Sequence, residues 1–457
     1  MNHDPVGQSS LNLKQFLKDS YYNFARQIAA LVFGLAISAL IARGLGVHNQ
    51  GLYSLALLVP FTITTFTSFG ISGANIYYVA RGDFDTRRMI STNIILVSLL
   101  SVVSIAVGLL AAAYAGKVLF PGVTGWILGL GLLIIPVIFM RDNLLSMLQG
   151  FQDFKTYNIA QLYPLVFQMA AVLLFIWQLG MGVEGALLAY LVGNLLGAWL
   201  ILRRLLQITG PIPRGEFLLD VEIARKMWKY GLQAYLSNVI SFFNLRADKY
   251  ILNYLAGAAS LGIYDVAVQM SERVWMISRS VSTVLLPQVS SLQESDAERL
   301  KLTTFMVRNV FWASCVVCLL IWPLANPFVL IVYGKAYGQA SLAIQWLLPG
   351  IISLSASRLL SADTAGRGRP EINTIAAAIS LVINLAANLY FIPRLGVAGA
   401  SLSSSLSYTL TLVLRVIIFS RMTGASWGSL FILTQSDWLF WKNVFGAFWA
   451  RLGWGRK

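Results

Sequence analysis

The chain contains the same apolar unit twice. The stretch LGVHNQGLY at 45–53 is echoed by LAGAASLGIY at 255–264, and their shared Gly-Leu/Ile-Tyr ends lie 211 residues apart. A second pair of matching positions, Gly150 and Gly366, lies 216 residues apart. A nearly constant offset across most of the chain indicates an internal duplication. In membrane proteins, such a duplication is typical of transporters.

The composition predicts a membrane protein that is helical throughout. Of 457 residues, 57% are hydrophobic and 12% are charged, whereas soluble domains carry about 25% charged residues. A transmembrane helix needs about 20 mostly apolar residues, and the sequence offers twelve such stretches. They lie near 20–42, 52–72, 89–114, 126–148, 157–178, 183–206, 228–250, 258–284, 306–332, 341–362, 371–392 and 396–420. The first 19 residues lack a small-residue cleavage site, so we expect no removable signal peptide.

The placement of Lys and Arg predicts the orientation in the membrane. Most of the 34 basic residues fall on alternate inter-span segments, which the positive-inside rule assigns to the cytoplasm. Both termini are therefore expected on the cytoplasmic side of a bacterial-type inner membrane. Arg246 and Lys249 fall on an outer segment in this assignment. The net charge of +15 is explained by this bias and by anionic lipid headgroups, and nucleic acid is not expected as a partner.

The repeat predicts two six-helix lobes around a central cavity. Six spans separate the copies, so both enter the membrane in the same sense, as in a parallel repeat about an axis along the membrane normal. The expected organisation is an N-terminal lobe at 1–207, a basic cytoplasmic linker at 208–227, a C-terminal lobe at 228–423 and a tail at 424–457. Aromatic residues at helical spacing predict that the tail is an amphipathic helix in the cytoplasmic interface.

The sequence shows no pattern typical of a cofactor or metal site. Cys315 and Cys318 have the CxxC spacing, but they lie inside an apolar span and far in sequence from His3 and His48. They are therefore interpreted as structural cysteines. No GxxxxGK[ST] motif is present, which argues against ATP-driven transport.

Polar residues inside the spans form the most informative pattern. In the eighth span, polar positions recur at i, i+4, i+7, i+11 and i+14 from Asp265 to Arg279, which places them on one helical face. Charges deep in a membrane usually mark a pathway, although Glu272 could also pair with an arginine for structural reasons. Asp248, in the seventh span, is interpreted as a helix-end residue. The candidate cavity residues are Arg279, Glu272, Arg273, Gln269, Asp265, Asn23, Arg26, Gln27, Asn238, Arg308 and Arg358.

Uncharged polar stripes leave two interpretations open. The Ser, Thr, Asn and Gln positions of the second, fifth, seventh and eleventh spans suit a cavity wall or helix–helix hydrogen bonds equally well. Arg26 and Arg415 lie near predicted cytoplasmic span ends, where snorkelling towards the headgroups is the simpler explanation.

Several segments resemble a known family. They are ARGLGVHNQGLYSLAL (42–57), DKYILNYLAGAASLGIYDVAVQ (248–269), LLPQVSSL (285–292), YGKAYGQASLAIQWLLPG (333–350), AGRGRPEINT (365–374) and IPRLGVAGASLS (392–403). The chain resembles the polysaccharide-transporter family of oligosaccharide-lipid flippases, in the superfamily that also holds the multidrug/toxin exporters. The resemblance covers essentially the whole chain. It implies two six-helix lobes around a central, often cationic cavity that opens alternately to each side, with an undecaprenyl-pyrophosphate-linked oligosaccharide as cargo.

The expected function is therefore transport of a lipid-linked glycan to the outer leaflet, without catalysis or a cofactor. Arginine suits the pyrophosphate, and amides and hydroxyls suit the sugar. The expected partners are the lipid-linked glycan, the bilayer, a possible coupling ion (proton or sodium) and possible glycan polymerases or glycosyltransferases.

Two alternatives remain. A cation-coupled small-molecule antiporter is expected to carry a buried carboxylate in its first lobe. The acids of that lobe are interpreted as loop or span-end residues, namely Asp19, Asp83, Asp85, Asp142, Asp153 and Glu184. A membrane-embedded glycan polymerase or transferase is expected to carry catalytic groups on large outer loops, and the predicted outer loops are short.

Overall fold

The computed structural model describes residues 13–292 and 295–442, without the side chains of 13–26, 117–119, 154, 214, 233–234, 287 and 291. In these ranges the chain is a series of α-helices linked by short turns. The helices are α1 (Leu13–Thr67), α2 (Ile71–Arg81), α3 (Thr86–Leu119), α4 (Gly125–Gly150), α5 (Phe154–Val172), α6 (Val183–Thr209), α7 (Val221–Ser271), α8 (Trp275–Ser291), α9 (Asp296–Val332), α10 (Gln339–Gly366), α11 (Pro370–Leu395), α12 (Val397–Thr423) and α13 (Trp427–Phe431). Residues 435–442 are also helical.

The number of membrane crossings agrees with the predicted twelve. Ten helical segments of the described chain are long and apolar enough to cross a membrane. Two of them, Gln27–Thr67 with 41 residues and Tyr235–Ser290 with 56 residues, exceed about 20 residues per crossing twofold or more. Each therefore accounts for two crossings. This confirms a polytopic helical membrane protein of about twelve spans.

Two glycines break these long helices at equivalent points. Gly46 interrupts α1 with φ 71° and ψ 172°, and Gly257 interrupts α7 with φ 80° and ψ 171°. The two lie 211 residues apart, the offset of the sequence repeat. This backbone region is essentially restricted to glycine, and a Cβ at either position would meet nothing within 4 Å. The conformation, not the available space, therefore requires glycine. A single-residue break replaces the longer loop expected at 43–51.

The bounds of the later helices also match between the two copies of the repeat. Helices α4 and α10 end at Gly150 and Gly366, and the helices that follow them begin four residues further on in both copies. Helices α6 and α12 are both 27 residues long. The matching bounds agree with the predicted repeat.

The chain divides into two compact units, Met1–Val239 and Ile240–Lys457. The first turns of α7, from 221 to 239, therefore belong to the first unit, although 228–239 were expected in the C-terminal lobe. Trp228 stacks on Phe69 with ring centroids 4.1 Å apart, and the Tyr235 hydroxyl donates to the Phe66 carbonyl at 2.6 Å. A Cβ on Gly231 would lie 2.1 Å from the Phe69 carbonyl oxygen, so this approach of two backbones requires glycine.

The linker and the tail occupy equivalent places in their units. Helices α6 and α12 end at Gly210 (φ 78°) and Gly424 (φ 72°), and a short helical turn followed by a further helix comes next in both cases. The linker attaches to α3 through the Asp220 amide, which donates to Thr92 Oγ1 at 3.0 Å. The tail attaches to α9 through Asp437, which accepts from Arg308 Nη2 at 2.9 Å.

The second unit has an apolar core between α8, α9, α10, α12 and the tail. Fully buried side chains of all five segments meet there, among them Leu285, Val307, Leu359, Phe419 and Leu430. Close packing of this kind fixes α8, α9, α10 and α12, the helices that carry the arginines described below.

Candidate functional site

The second unit places five charged side chains between the two halves of α7 and the turn that follows it. We call them the charged ladder: Arg246, Asp248, Lys249, Asp265 and Glu272. Lys249 and Asp265 are 8% and 5% exposed and form an ion pair. Arg246 donates from both terminal nitrogens to the two Glu272 oxygens, at 2.6 and 3.2 Å. The break at Gly257 allows the two halves of α7 to meet in this way.

Two sequence interpretations are corrected here. Arg246 and Lys249 are not on an outer segment but inside α7, with Lys249 buried in an ion pair. Asp248 is not a helix-end residue, because the helix continues to the break at Gly257 and the side chain is 3% exposed. Both errors have one cause, since a one-residue break leaves no polar loop in the sequence to show where each span ends.

A narrow cavity lies beside the ladder. Its volume is about 10 Å³, at the lower limit for one water molecule. Asp248 and Glu272 both line it, as do the hydroxyl-bearing Tyr264 and Tyr408. Ser271 and Trp275 also line it, and the Ser271 hydroxyl and the Trp275 indole N–H are buried without a hydrogen-bond partner.

A group of three arginines lies further along the same unit. We call Arg279, Arg358 and Arg415 the basic cluster. Arg358 lies 5.1 Å from the Trp275 ring centroid. It is repelled by Arg279, attracted more weakly by Glu272, and in turn repels Arg415. In the described part of the chain, none of the three forms a salt bridge. Arg415 donates to the Ser357 carbonyl at 2.8 Å, which holds it among the helices, whereas snorkelling was expected.

The predicted polar face of the eighth span is interrupted. Helix α7 ends at Ser271, and a 3₁₀ turn from Glu272 to Val274 precedes α8. Three residues at about 120° each instead of 100° rotate the following face by about 60°. Asp265 and Gln269 remain neighbours, since Gln269 donates to Asp265 at 2.6 Å, but Arg279 lies off their line and joins Arg358 instead.

Arg308 does not join the other candidate residues, because it is bonded to a carboxylate in the tail. Its guanidinium donates to both oxygens of Asp437, which is fully buried, and to the Ser429 carbonyl at 2.7 Å. Burial alone would raise the pKa of Asp437, but hydrogen bonds from Arg308, Thr434 and Asn309 outweigh it and hold that pKa well below its usual range. We assign Arg308 to attachment of the tail.

The remaining candidates are dispersed. Arg273 and Gln27 are half-buried and Asn238 is exposed. The side chains of Asn23 and Arg26, like the tail beyond 442, lie outside the described residues. Cys315 and Cys318 lie in α9 as free thiols, and the described residues contain no group of three or more His, Cys, Asp or Glu that could hold a metal ion.

Two uncharged stripes form contacts between helices. The Asn75 amide donates to Ser146 Oγ at 3.0 Å and accepts from Asn93 at 2.8 Å. In the second unit, Asn244 donates to Ser380 Oγ at 2.9 Å, and Thr411 donates to the same hydroxyl. For these residues the helix–helix interpretation holds.

Sequence reasoning missed Arg415 and Tyr408 as site residues. Arg415 was set aside because of its position near a span end, and Tyr408 is unremarkable in an apolar helix. One signal was available for Arg415, because the sequence has no Asp or Glu between Glu371 and Asp437.

Sequence comparisons place the chain among transport proteins of glycan synthesis. It is 24% identical over 431 residues to an uncharacterised membrane protein of Methanocaldococcus jannaschii, which covers 89% of this chain and 98% of that protein. It is 21% identical over 421 residues to the putative O-antigen transporter of Shigella flexneri, with the same two coverages. A probable low-salt glycan biosynthesis flippase of Haloferax volcanii, Agl15, is 24% identical over 42% of this chain and 41% of that protein.

Solved structures share the fold. The lipid II flippase MurJ in an inward closed conformation superposes with a TM-score of 0.74 at 16% identity, over 88% of this chain and 87% of that one. An inward-facing multidrug resistance transporter of the MATE family superposes with a TM-score of 0.63 at 17% identity, over 88% and 97%. The family model described as polysaccharide biosynthesis protein matches residues 16–293, more than half of the chain. The chain is therefore a multi-pass membrane transporter that belongs to the polysaccharide biosynthesis protein family.

Proposed function

We propose that this transporter is a flippase for an oligosaccharide or polysaccharide precursor linked to undecaprenyl pyrophosphate. It moves the precursor from the cytoplasmic to the outer leaflet by alternating access, in an inner membrane with both chain termini in the cytoplasm. No bond is broken, so the protein acts as a carrier and not as an enzyme. The family and the flippase and O-antigen transporter relatives support this proposal.

The basic cluster is the observation that carries the choice of cargo. Arg279, Arg358 and Arg415 repel one another through Arg358. Arginine inside a membrane is costly unless it is paired or faces a polar route. A pyrophosphate relieves the repulsion and accepts paired N–H···O bonds from guanidinium groups. Trp275, below Arg358, fixes the orientation of that guanidinium.

The test compares export by variants of the cluster. Arg358→Ala and Arg279→Ala are expected to reduce glycan export by about tenfold or more, because a hydrogen-bonded charge contributes about 1.5–3 kcal/mol. Arg358→Lys is expected to keep part of the activity, since a point charge does not replace the guanidinium fork. Surface glycan is measured in cells with matched amounts of membrane-inserted protein.

Arg421→Ala is the matched control. Arg421 is an exposed basic residue in the last turn of α12, the helix that carries Arg415, so its loss changes net charge equally and is expected to leave export unchanged. Normal export by Arg358→Ala at normal protein levels contradicts the assignment of the cluster. Equal losses in Arg421→Ala and Arg358→Ala point to a general effect of charge.

The alternative is a cation-coupled antiporter of small molecules, which the shared fold with a MATE transporter favours. Asp142, interpreted above as a span-end residue, lies inside α4, but it is bonded to the neighbouring Arg141 at 2.9 Å. Binding of a short-chain prenyl pyrophosphate to the purified protein, lost in Arg358→Ala, separates the two functions in favour of the flippase.

A further inference from the structure

Asp248 is the one acid of the charged ladder that has no cationic partner in the described chain. Glu272 is held by Arg246, and Asp265 by Lys249. Asp248 accepts hydrogen bonds only from neutral donors, namely the Lys249 backbone amide at 2.8 Å, the Ser404 hydroxyl at 3.0 Å and the Tyr264 hydroxyl. Its side chain belongs to a membrane-spanning segment and is 3% exposed.

The charges around Asp248 do not balance. The ladder has two cations and three acids, and both cations are already engaged in ion pairs. An isolated carboxylate in a low-dielectric interior is strongly disfavoured and normally becomes neutral by taking up a proton. The charged and titratable groups that face Asp248 are Arg246, Lys249 and Tyr264 on α7, Glu272 in the turn after it, and Tyr408 beside Ser404 on α12. The α10 residues at this cavity, Leu347 and Ile351, are apolar.

The cavity beside Asp248 connects it to Glu272, whose side chain is 22% exposed. It has room for about one water molecule, and it joins Asp248 to Glu272. The Ser271 hydroxyl and the Trp275 indole N–H, 1% and 9% exposed by residue, are buried there without partners. Buried polar groups of this kind are normally satisfied by an ordered water, and such a water would link the two carboxylates.

The first unit shows that the fold does not require these charges. At the repeat offset of 211, Ile37 corresponds to Asp248, and Ser38 and Ser54 correspond to Lys249 and Asp265. All three are buried, at 5%, 7% and 7% exposure. The same broken helix therefore packs with neutral side chains, so packing alone does not explain a buried acid at 248.

We propose that Asp248 is a proton-binding site, reached through the cavity that it shares with Glu272. Its protonation is the step that couples a proton gradient to transport. The coupling role rests on the proposed function, but proton binding by Asp248 does not.

The first experiment needs no variant. Dicyclohexylcarbodiimide reacts with protonated carboxyl groups in apolar surroundings, and peptide mass spectrometry locates the adduct in full-length protein held in nanodiscs. Asp248 is expected to be labelled, and the labelled fraction is expected to fall about tenfold per pH unit above its pKa. Asp265 and Glu272, which are neutralised by cations, are expected to stay unlabelled and serve as internal controls. Labelling of those two without Asp248, or of no ladder residue, overturns the proposal.

The second experiment tests coupling in proteoliposomes that contain pyranine as a pH reporter. An imposed proton gradient is expected to accelerate flipping of the glycan precursor by the wild type and to have no effect on Asp248→Asn, which keeps the shape of the side chain but cannot titrate. Asp248→Glu is expected to keep the response. An Asp248→Asn protein that responds as the wild type does overturns the coupling role. If Asp248 is labelled while the wild-type protein neither binds the short-chain prenyl pyrophosphate nor supports glycan export, the flippase assignment fails and the proton site stands.

Discussion

The two broken helices, α1 and α7, solve one packing problem with different chemistry. Both turn at a glycine in the same backbone conformation, 211 residues apart. Around the first break the facing positions are Ile37, Ser38 and Ser54, and around the second they are Asp248, Lys249 and Asp265. Burial is nearly the same at all six positions, from 3% to 8% exposed.

The difference separates what the fold needs from what the second unit adds. A glycine break and small or apolar side chains are sufficient to hold two membrane spans together. Removing one partner of a buried ion pair is costly, whereas replacing the whole pair with neutral groups is often harmless. The charges of the second unit are therefore best explained by function.

Replacing only one partner of the Lys249–Asp265 ion pair gives the largest expected loss of stability. Lys249→Ser introduces the side chain that the first unit has at this place, but it leaves Asp265 buried and unpaired. We expect a loss of about 3–5 kcal/mol in the free energy of unfolding, measured by denaturant or thermal unfolding in one detergent. The double variant Lys249→Ser with Asp265→Ser copies the first unit fully and is expected to recover most of that loss.

Ser38→Ala, at the position equivalent to Lys249, is the control and is expected to cost about 1 kcal/mol or less. If the double variant is as unstable as the single one, the two units do not pack alike and the comparison fails.

The linker and the tail provide a second comparison, for which we expect losses of stability of intermediate magnitude. Asp437→Asn keeps the shape of the tail residue and removes its charge, and we expect a loss of about 1.5–3 kcal/mol in the attachment of the tail to α9. Asp220→Asn, in the equivalent linker, is expected to cost less, because Asp220 is only half-buried and caps a helix. The rates of proteolytic cleavage between α12 and the tail and between α6 and α7 measure the two losses.

The Arg308–Asp437 pair predicts that the attachment of the tail to α9 depends on pH. The pKa of Asp437 is lowered in the folded protein. Its contribution to the attachment of the tail is therefore complete above the ordinary Asp pKa of about 4. It is lost as the pH falls through the lowered pKa. Tail cleavage that accelerates already near neutral pH contradicts this assignment.

Replacing the glycine at each helix break gives the smallest expected loss of stability and tests whether the two breaks are equivalent. Gly46→Ala and Gly257→Ala each force alanine into a backbone region that costs about 1–3 kcal/mol, without a steric clash. We expect the two losses in unfolding free energy to agree within error. Gly129→Ala, inside α4 with nothing within 4 Å of the new Cβ, is the control and is expected to be neutral or slightly stabilising. Unequal losses would show that one break is held more rigidly than the other.

The sequence predicts the repeat, the helical class and the number of spans because each of these features is determined by many residues. Apolar length sets the spans, and the repeated glycine positions follow from backbone requirements that no other residue meets. The ladder could not be predicted in the same way. Its pairs join residues 16 and 26 positions apart, and the pairing depends on a one-residue break and on a 3₁₀ turn that rotates the helix face.

The partner of Arg308 was also beyond prediction from the sequence. Periodicity places Arg308 inside a span, where an arginine suggests a cavity, but the carboxylate that neutralises it belongs to a segment outside the repeated spans. Only the fold brings Asp437 to α9.

That attachment has a consequence for how the protein is made. Arg308 and Asp437 are 129 residues apart in the chain, and at about 5–20 residues per second the ribosome needs roughly 6–26 s to pass from one to the other. During this time α9 waits in the translocation machinery or the bilayer with an uncompensated guanidinium. The second unit can complete its folding only after the ribosome has passed residue 437, so a prematurely terminated chain carries a built-in defect by which membrane proteases can recognise it.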